Sequence, residues 1–354
     1  MIEEAFYGFP GNGVHSAAYF DKDIINIPEN KLILEAMNRH AGYDLVSKMF
    51  DKKERKLIND EKGRQIATVG GSVMNAIALE KLGIKRIGSY GLSLGSCSAS
   101  GIECIDWKDK EQINKFIKAI AFRAETMYAC VPKNDRYKGN KFMAAIENLK
   151  AWRLESICKN IRKDGKRGNI EIIRDPEIIQ SVVVGNENLP YQNVLSGDIP
   201  AVEKAVHSIQ RKYPNAEIIY LDNGGPWHNP DYMRPASEKV GERFKQVPFK
   251  KPKRKLYLPG FGGFVENPED IGPALGKEIS EKTAFYKDTI KIFKKGFKKF
   301  VDVGPHKVLK GFWEKIVEQI HLPSFSIFDR QKHIKKITRE IPVVKENLEE
   351  KIKE

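Results

Sequence analysis

The sequence predicts an α/β protein in which a ferredoxin-like small subdomain is inserted into a larger α/β domain. Three observations carry this. Short apolar strand-like runs alternate with helix-like periods along most of the chain. Glycine-rich loops follow the strand-like runs of the outer segments. The middle runs strand, helix, strands, helix, strand, the order of a ferredoxin-like unit. The expected division is 1–138 for the first part of the large domain, 139–222 for the subdomain and 223–354 for the second part, ending in a basic helix.

Taken in order, Ala5-Phe6-Tyr7-Gly8-Phe9 reads as a buried strand running into the loop Pro10-Gly11-Asn12-Gly13. Apolar spacing over Ser72 to Leu82 predicts a helix stopped by Gly83. A strand follows over Ile84 to Tyr90, then Gly91-Leu92-Ser93-Leu94-Gly95, then a helix over Lys110 to Ala129. In the middle, Phe142–Leu149, Ile170–Ile173, Ile179–Val184, Gln192–Leu195 and Ala216–Leu221 read as strands, and Ala151–Lys163 and Pro200–Lys212 as helices. Beyond them come a helix over Asp231–Phe244, a basic loop Lys250–Lys255, the loop Pro259–Gly263, a helix Thr283–Phe297 and a strand Phe300–Val303.

Composition narrows the class. With 354 residues, 41% hydrophobic and 31% charged, the chain can bury a large core and is not mainly disordered. No apolar run approaches the roughly 20 residues of a membrane helix. The start Met1-Ile2-Glu3-Glu4 has no basic region followed by an apolar stretch, so no secretory signal is expected. Four cysteines without a CxxC pair argue against a disulfide framework or structural zinc and fit a reducing cytoplasm. Sixty-one Lys and Arg against 47 Asp and Glu, a net +14, suggest an acidic partner without naming its class.

Gly91-Leu92-Ser93-Leu94-Gly95 follows a predicted strand, the setting of a nucleophile elbow, and makes the large domain α/β-hydrolase-like. Its glycines permit a tight strand-to-helix turn that exposes the Ser93 hydroxyl and points the Leu94 N–H at a developing oxyanion. The bland alternative is a serine in a glycine-rich turn. Seven histidines are candidate bases. His228 lies in a loop after a predicted strand, where catalytic side chains gather, although a solvated loop histidine is the commoner reading of its position alone. His207 and His333 read as surface residues, and His15 is a rival by position.

Six ordered motifs resemble one family, the malonyl-CoA:acyl-carrier-protein transacylases and the acyltransferase domains of polyketide synthases. Phe9-Pro10-Gly11-Asn12-Gly13 resembles FPGQG, and Gly91 to Gly95 resembles GHSLG. Arg123 with Met127 matches RxxxM. The stretch Asn186 to Gly197, which includes Asn188, is similar to NxNxPxQxVxSG. Trp227-His228-Asn229-Pro230 with Met233 and Pro235 matches FHSPxMxPA, and Val303 to Leu309 matches VGPGKVL. The resemblance spans about residues 5 to 315.

It implies a two-step transfer. Ser93, deprotonated by His228, takes malonyl from malonyl-CoA as an ester and passes it to the phosphopantetheine thiol of an acyl carrier protein. The histidine is oriented by backbone carbonyls, and the N–H groups of Leu94 and Asn12 form the oxyanion hole. Arg123 pairs with the malonyl carboxylate, whose burial is costly without a bidentate partner. Read from helix spacing alone, Arg123 is a surface arginine pairing with Glu125 or a nearby acid. Trp227, where Phe is usual, crowds an α-methyl group and favours malonyl over methylmalonyl. Met127 and Asn188 complete the substrate-binding set. No cofactor is expected, since the CoA thioester is a substrate, and a monomer is the family expectation.

Departures mark a divergent member: Asn12 for Gln, Leu92 for His, Ser96 for Glu, His306 for Gly and a longer insertion near Lys163–Asp175. Glu278 stands where Gln is common. It is harmless if only its carbonyl matters, but its side chain near His228 would raise that histidine's pKa. Two basic clusters, Lys250–Lys255 and Lys291, Lys294, Lys295, Lys298 and Lys299, are either solvated faces or a docking patch for an acidic carrier. No nucleic-acid-binding pattern is present. Rival functions are a serine hydrolase (an acyl-thioesterase) and a non-catalytic scaffold of a synthase complex.

Overall fold

In a computed structural model of the chain, residues 3–12, 22–50, 58, 60–132, 141–167, 180–304, 307–320 and 326–328 are described. The first segment supplies β1 (Glu3–Phe9), α1 (Lys22–Ile25), α2 (Pro28–Ala41), α3 (Leu45–Phe50), α4 (Glu61–Lys81), β2 (Ile84–Gly91), α5 (Leu94–Cys104) and α6 (Lys110–Ala129). The middle supplies β3 (Met143–Glu147), α7 (Ala151–Arg167), β4 (Val182–Leu189), β5 (Gln192–Gly197), α8 (Ile199–Lys212) and β6 (Glu217–Leu221). The last segment supplies α9 (Pro230–Lys245), β7 (Lys255–Leu258), β8 (Gly263–Val265), α10 (Ile271–Glu278), α11 (Phe285–Lys294), β9 (Lys299–Asp302), α12 (Val308–Ile320) and β10 (Ser326–Phe328).

The outer segments build a six-stranded sheet in the order β10-β9-β1-β2-β7-β8, parallel except for the β7–β8 hairpin at one edge. Both faces are covered, which is why β1 reads as an unbroken buried run from Ala5 to Phe9. The two-residue strand period divides its side chains. Ala5, Tyr7 and Phe9 enter the main core, while Phe6 joins an aromatic cluster with Tyr90, Tyr257, Phe300 and Trp313. β1 and β2 lie side by side, so the loops leaving their carboxyl ends meet.

The middle segment forms a separate antiparallel sheet, β4-β5-β3-β6. Ala144 and Ile146 of β3 pack with Leu154 of α7 and Val202, Ala205 and Ile209 of α8. The alternate residues Met143 and Ala145 face the main core. Burial on both faces thus fastens this sheet to the larger unit.

Several boundaries differ from expectation. The helix expected from Ser72 begins at Glu61, capped by Asp60, whose side chain accepts from the Gly63 N–H. Its first turns carry polar residues on a buried face, which hides the apolar period. The helix expected over Thr283–Phe297 covers Phe285–Lys294. Thr283 is tied to β4 by Thr283 N–H to Gly185 O (3.0 Å) and Glu187 N–H to Thr283 O (2.8 Å). At the other end Gly296 adopts φ 95°, a left-handed stop. Lys255 belongs to strand β7 rather than to a loop, and Pro259–Gly262 is the turn of the β7–β8 hairpin, with Gly263 the first residue of β8. Ile170–Ile173, Ile179, His15, His306, His321, His333, most of the insertion and the expected basic C-terminal helix lie outside the described residues.

Candidate functional site

Ser93 sits between β2 and α5 with φ 54° and ψ −118°, a backbone conformation that costs a non-glycine residue about 1–3 kcal/mol. The neighbouring glycines are obligatory. A Cβ on Gly91 would lie 1.9 Å from the Gly95 carbonyl carbon, and one on Gly95 would lie 2.1 Å from the Phe9 carbonyl oxygen. The turn therefore closes only without side chains there, and it lifts Ser93 out of the helix. Leu94 is the first residue of α5, so its N–H has no acceptor within the helix. The β1 loop lies against this elbow: a Cβ on Gly11 would be 2.8 Å from the Leu92 carbonyl oxygen. Asn12, which follows Gly11, is thereby brought to the same corner.

His228 precedes α9, also at positive φ (63°), and is buried. Its Nδ1 lies 2.9 Å from the Glu278 carbonyl and 3.1 Å from the Glu281 carbonyl. Carbonyls only accept, so Nδ1 carries the proton and Nε2 is left as an acceptor. The Ser93 hydroxyl donates to that Nε2 at 2.8 Å. Burial, reinforced by the Arg123 charge and opposed by the two carbonyls, lowers the His228 pKa from 6.5 to about 4. The ring is therefore neutral, as a general base must be. Asn229 braces the loop: its Oδ1 caps α9 through the Asp231 N–H (3.0 Å), and its Nδ2 donates to the Ser196 carbonyl (3.0 Å).

Arg123 is buried, at 3% exposure, so it is not the surface arginine that helix spacing alone suggests. It falls within the apolar stripe of α6 formed by Phe116, Ile120 and Met127. Glu125 instead pairs with Lys62, at 3.1 Å. Arg123 Nη1 donates to Gln65 Oε1, Gln65 Nε2 donates to Glu61 Oε1 (2.8 Å), and Asn12 Nδ2 donates to the same Glu61 oxygen. Gln65 and Glu61 escaped the sequence reading because that stretch of α4 has no motif and no apolar period. Their i, i+4 spacing on one helix face was the available signal.

Met127 is buried in the main core one turn beyond Arg123. Asn188 on β4 is buried, and its Oδ1 has no partner among the described residues. The Trp227 ring folds over Gly225, where a Cβ would lie 2.6 Å from it, and Trp227 Nε1 has no partner among the described residues. The Glu278 carboxyl turns to the Ser96 hydroxyl and the Ser93 backbone amide; burial raises its pKa from 4.5 to about 8. It does not raise the His228 pKa, which is lowered. A cleft of about 900 Å³ opens beside His228, between Lys159 of α7, Val183 of β4 and Lys282. Among the described residues no three His, Cys, Asp or Glu side chains are grouped to hold a metal ion, and no helix is long and apolar enough to cross a membrane.

Fold and site together define an α/β protein with a serine–histidine pair at a strand-to-helix elbow and a buried arginine beside it. Its relatives are malonyl-CoA:acyl-carrier-protein transacylases. The chain is 24% identical over 309 residues to the malonyl CoA-acyl carrier protein transacylase of Bacillus subtilis (strain 168), covering 87% of this chain and 89% of that one. It is similar to the crystal structure of MCAT from Streptococcus pneumoniae, with a TM-score of 0.73, 25% identity, and coverage of 96% of this chain and 100% of that one. It also shares its fold (TM-score 0.72, 22% identity, 92% and 94% covered) with a malonyl-transacylase in complex with its type II PKS acyl carrier protein. No family model matches the chain. The resemblance carried by the six motifs is thus matched in relatives that span nearly the whole sequence.

Proposed function

We propose that this chain is an acyl-carrier-protein S-malonyltransferase. Ser93 attacks the thioester carbonyl of malonyl-CoA while its proton passes to His228 Nε2. The oxyanion meets the Leu94 and Asn12 N–H groups, CoA leaves as its thiol, and the malonyl group stays as a Ser93 ester. The carrier's phosphopantetheine thiol then gives its proton to His228 and attacks the ester, which regenerates Ser93. Arg123 takes the malonyl carboxylate, with Trp227, Met127 and Asn188 around the acyl group. The observation that carries the reading is the Ser93–His228 bond of 2.8 Å, with Nδ1 committed to two carbonyls. The relatives' names supply the substrate class.

In the same reading, residues 1–138 and 223–354 form a hydrolase-like domain and 139–222 a ferredoxin-like subdomain. The strand order β4-β5-β3-β6 and its strand–helix–strand–strand–helix–strand connection support the latter. The carrier is acidic and the enzyme monomeric. Lys294, Lys295 and Lys298 are exposed and form no ion pair among the described residues, which suits them to such a partner.

Intact-mass spectrometry after mixing with malonyl-CoA tests the proposal. A malonyl adduct that persists until carrier protein is added, and that Ser93→Ala lacks, is expected. Release of the malonyl group to water at the same rate with or without carrier would make the chain a hydrolase. Absence of any adduct would leave the scaffold reading.

A further inference from the structure

Glu278 meets the site twice. Its carbonyl holds His228, at 2.9 Å, and its carboxyl interacts with the Ser96 hydroxyl and the Ser93 backbone amide. Glu278 is 5% exposed, and its Oε1 has no partner among the described residues. The ionisable groups bearing on it come from several elements: Arg123 of α6, Asp288 of α11, Cys97 of α5, Tyr257 of β7 and His228 itself. Burial keeps the Cys97 thiol and the Tyr257 phenol neutral, and His228 is neutral as well. Asp288 lies against Tyr257 (2.6 Å) and Lys291 (3.3 Å), so it has partners of its own. Arg123 is the cation of the group, and on its other side it is joined through Gln65 to buried Glu61.

Arg123 thus bears on two buried carboxyl groups before any substrate arrives, with Arg64 as a second cation for Glu61. A third anion, the carboxylate of a dicarboxylic acyl group, would compete for Arg123 and leave negative charge uncompensated among buried groups. The two acids are not equivalent. Burial raises the pKa of Glu61 as well, but its Oε1 accepts hydrogen bonds from Gln65 and Asn12 and the Arg123 and Arg64 charges oppose the shift, which favours a carboxylate there. Glu278 Oε1 has no partner among the described residues, and burial raises its pKa more than its polar neighbours lower it, which suits a neutral acid.

We propose that Glu278 is a positioning residue that compensates charge: it must hold a proton for Arg123 to receive the substrate's carboxylate, so that binding of a malonyl-type acyl group draws a proton from solvent onto Glu278. This rests on the reading above that Arg123 takes that carboxylate. The placement of the Glu278 titration near pH 8 puts the effect within a measurable range.

The experiment is the pH dependence of KM and kcat for loading from malonyl-CoA in the unsubstituted enzyme and in Glu278→Gln, an isosteric change that cannot ionise. KM should rise about tenfold per pH unit above 8 in the first, with kcat level, and stay within about twofold in the second. A parallel measurement needs no change at Glu278: calorimetric binding of malonyl-CoA to Ser93→Ala at pH 9, in two buffers of different ionisation enthalpy, should report uptake of about one proton. A KM slope that survives in Glu278→Gln, a slope removed by Glu61→Gln instead, or binding without proton uptake would each overturn the inference. Failure of the unsubstituted enzyme to form any malonyl adduct at any pH would instead overturn the functional reading itself.

Discussion

His228 works in surroundings that oppose its own protonation, and the opposition has two measurable consequences. Loading of Ser93 should be level from pH 7 down to about 5 and fall as pH approaches 4, where Nε2 acquires a proton and no longer accepts from Ser93. The same shift affects stability. The unfolded chain takes a proton near 6.5 but the folded one only near 4, so stability is lost as pH falls through that window. Thermal melts of His228→Gln should show a shallower decline between pH 7 and pH 4 than the unsubstituted protein. Arg123→Ala removes the charge-assisted bonds proposed for malonyl. With about 1.5–3 kcal/mol for such bonds, malonyl loading measured by intact mass should fall by roughly 10- to 100-fold. If acetyl-CoA loads the unsubstituted protein as well as malonyl-CoA does, the carboxylate role of Arg123 is wrong.

At the scale of elements, the site depends on two junctions that place side chains by denying space or adding bonds. The β2–α5 elbow has no room at Gly95, where a Cβ would press on the Phe9 carbonyl of the neighbouring strand. Gly95→Ala should destabilise the protein by about 1–3 kcal/mol or more, read as a lower denaturant midpoint, and should abolish the adduct because β1 and the elbow can no longer approach. The junction before α9 rests on Asn229, which both caps the helix and reaches the backbone of β5. Asn229→Ala loses a cap and a buried bond, together about 1–2 kcal/mol, and should slow loading by letting His228 drift. Asn229→Asp keeps the cap alone and should recover part of the stability.

Over the whole molecule, the net charge of +14 is unevenly committed. The Lys250–Lys255 run is tied down: Lys250 pairs with Asp106 (3.4 Å), Arg254 with Glu80 (3.4 Å) and Lys255 with Glu266 (3.3 Å), while Lys253 donates to the Ile105 carbonyl (3.1 Å). The end of α11 and the turn after it expose Lys294, Lys295 and Lys298 without such pairs among the described residues. Transfer to an acidic carrier should therefore weaken as salt rises, and Lys294→Glu with Lys298→Glu should weaken it further, while loading from malonyl-CoA changes less. Equal salt sensitivity of both half-reactions would assign the patch elsewhere.

Sequence by itself determined the parts whose cause is local. The elbow was legible because only glycines tolerate its geometry, and the strand–helix alternation was legible because buried parallel strands read as unbroken apolar runs. The order of six motifs was enough to point to the relatives. Tertiary structure alone decided what depends on which faces meet. Arg123 reads as a surface residue until α6 is seen packed by that stripe. Gln65 and Glu61 have no motif and gain meaning only by lying next to it. Glu278 divides into a carbonyl that orients His228 and a carboxyl enclosed behind Ser93. These roles are set by burial and by partners tens to hundreds of residues away, and burial is a property of the assembled layers rather than of any stretch of chain.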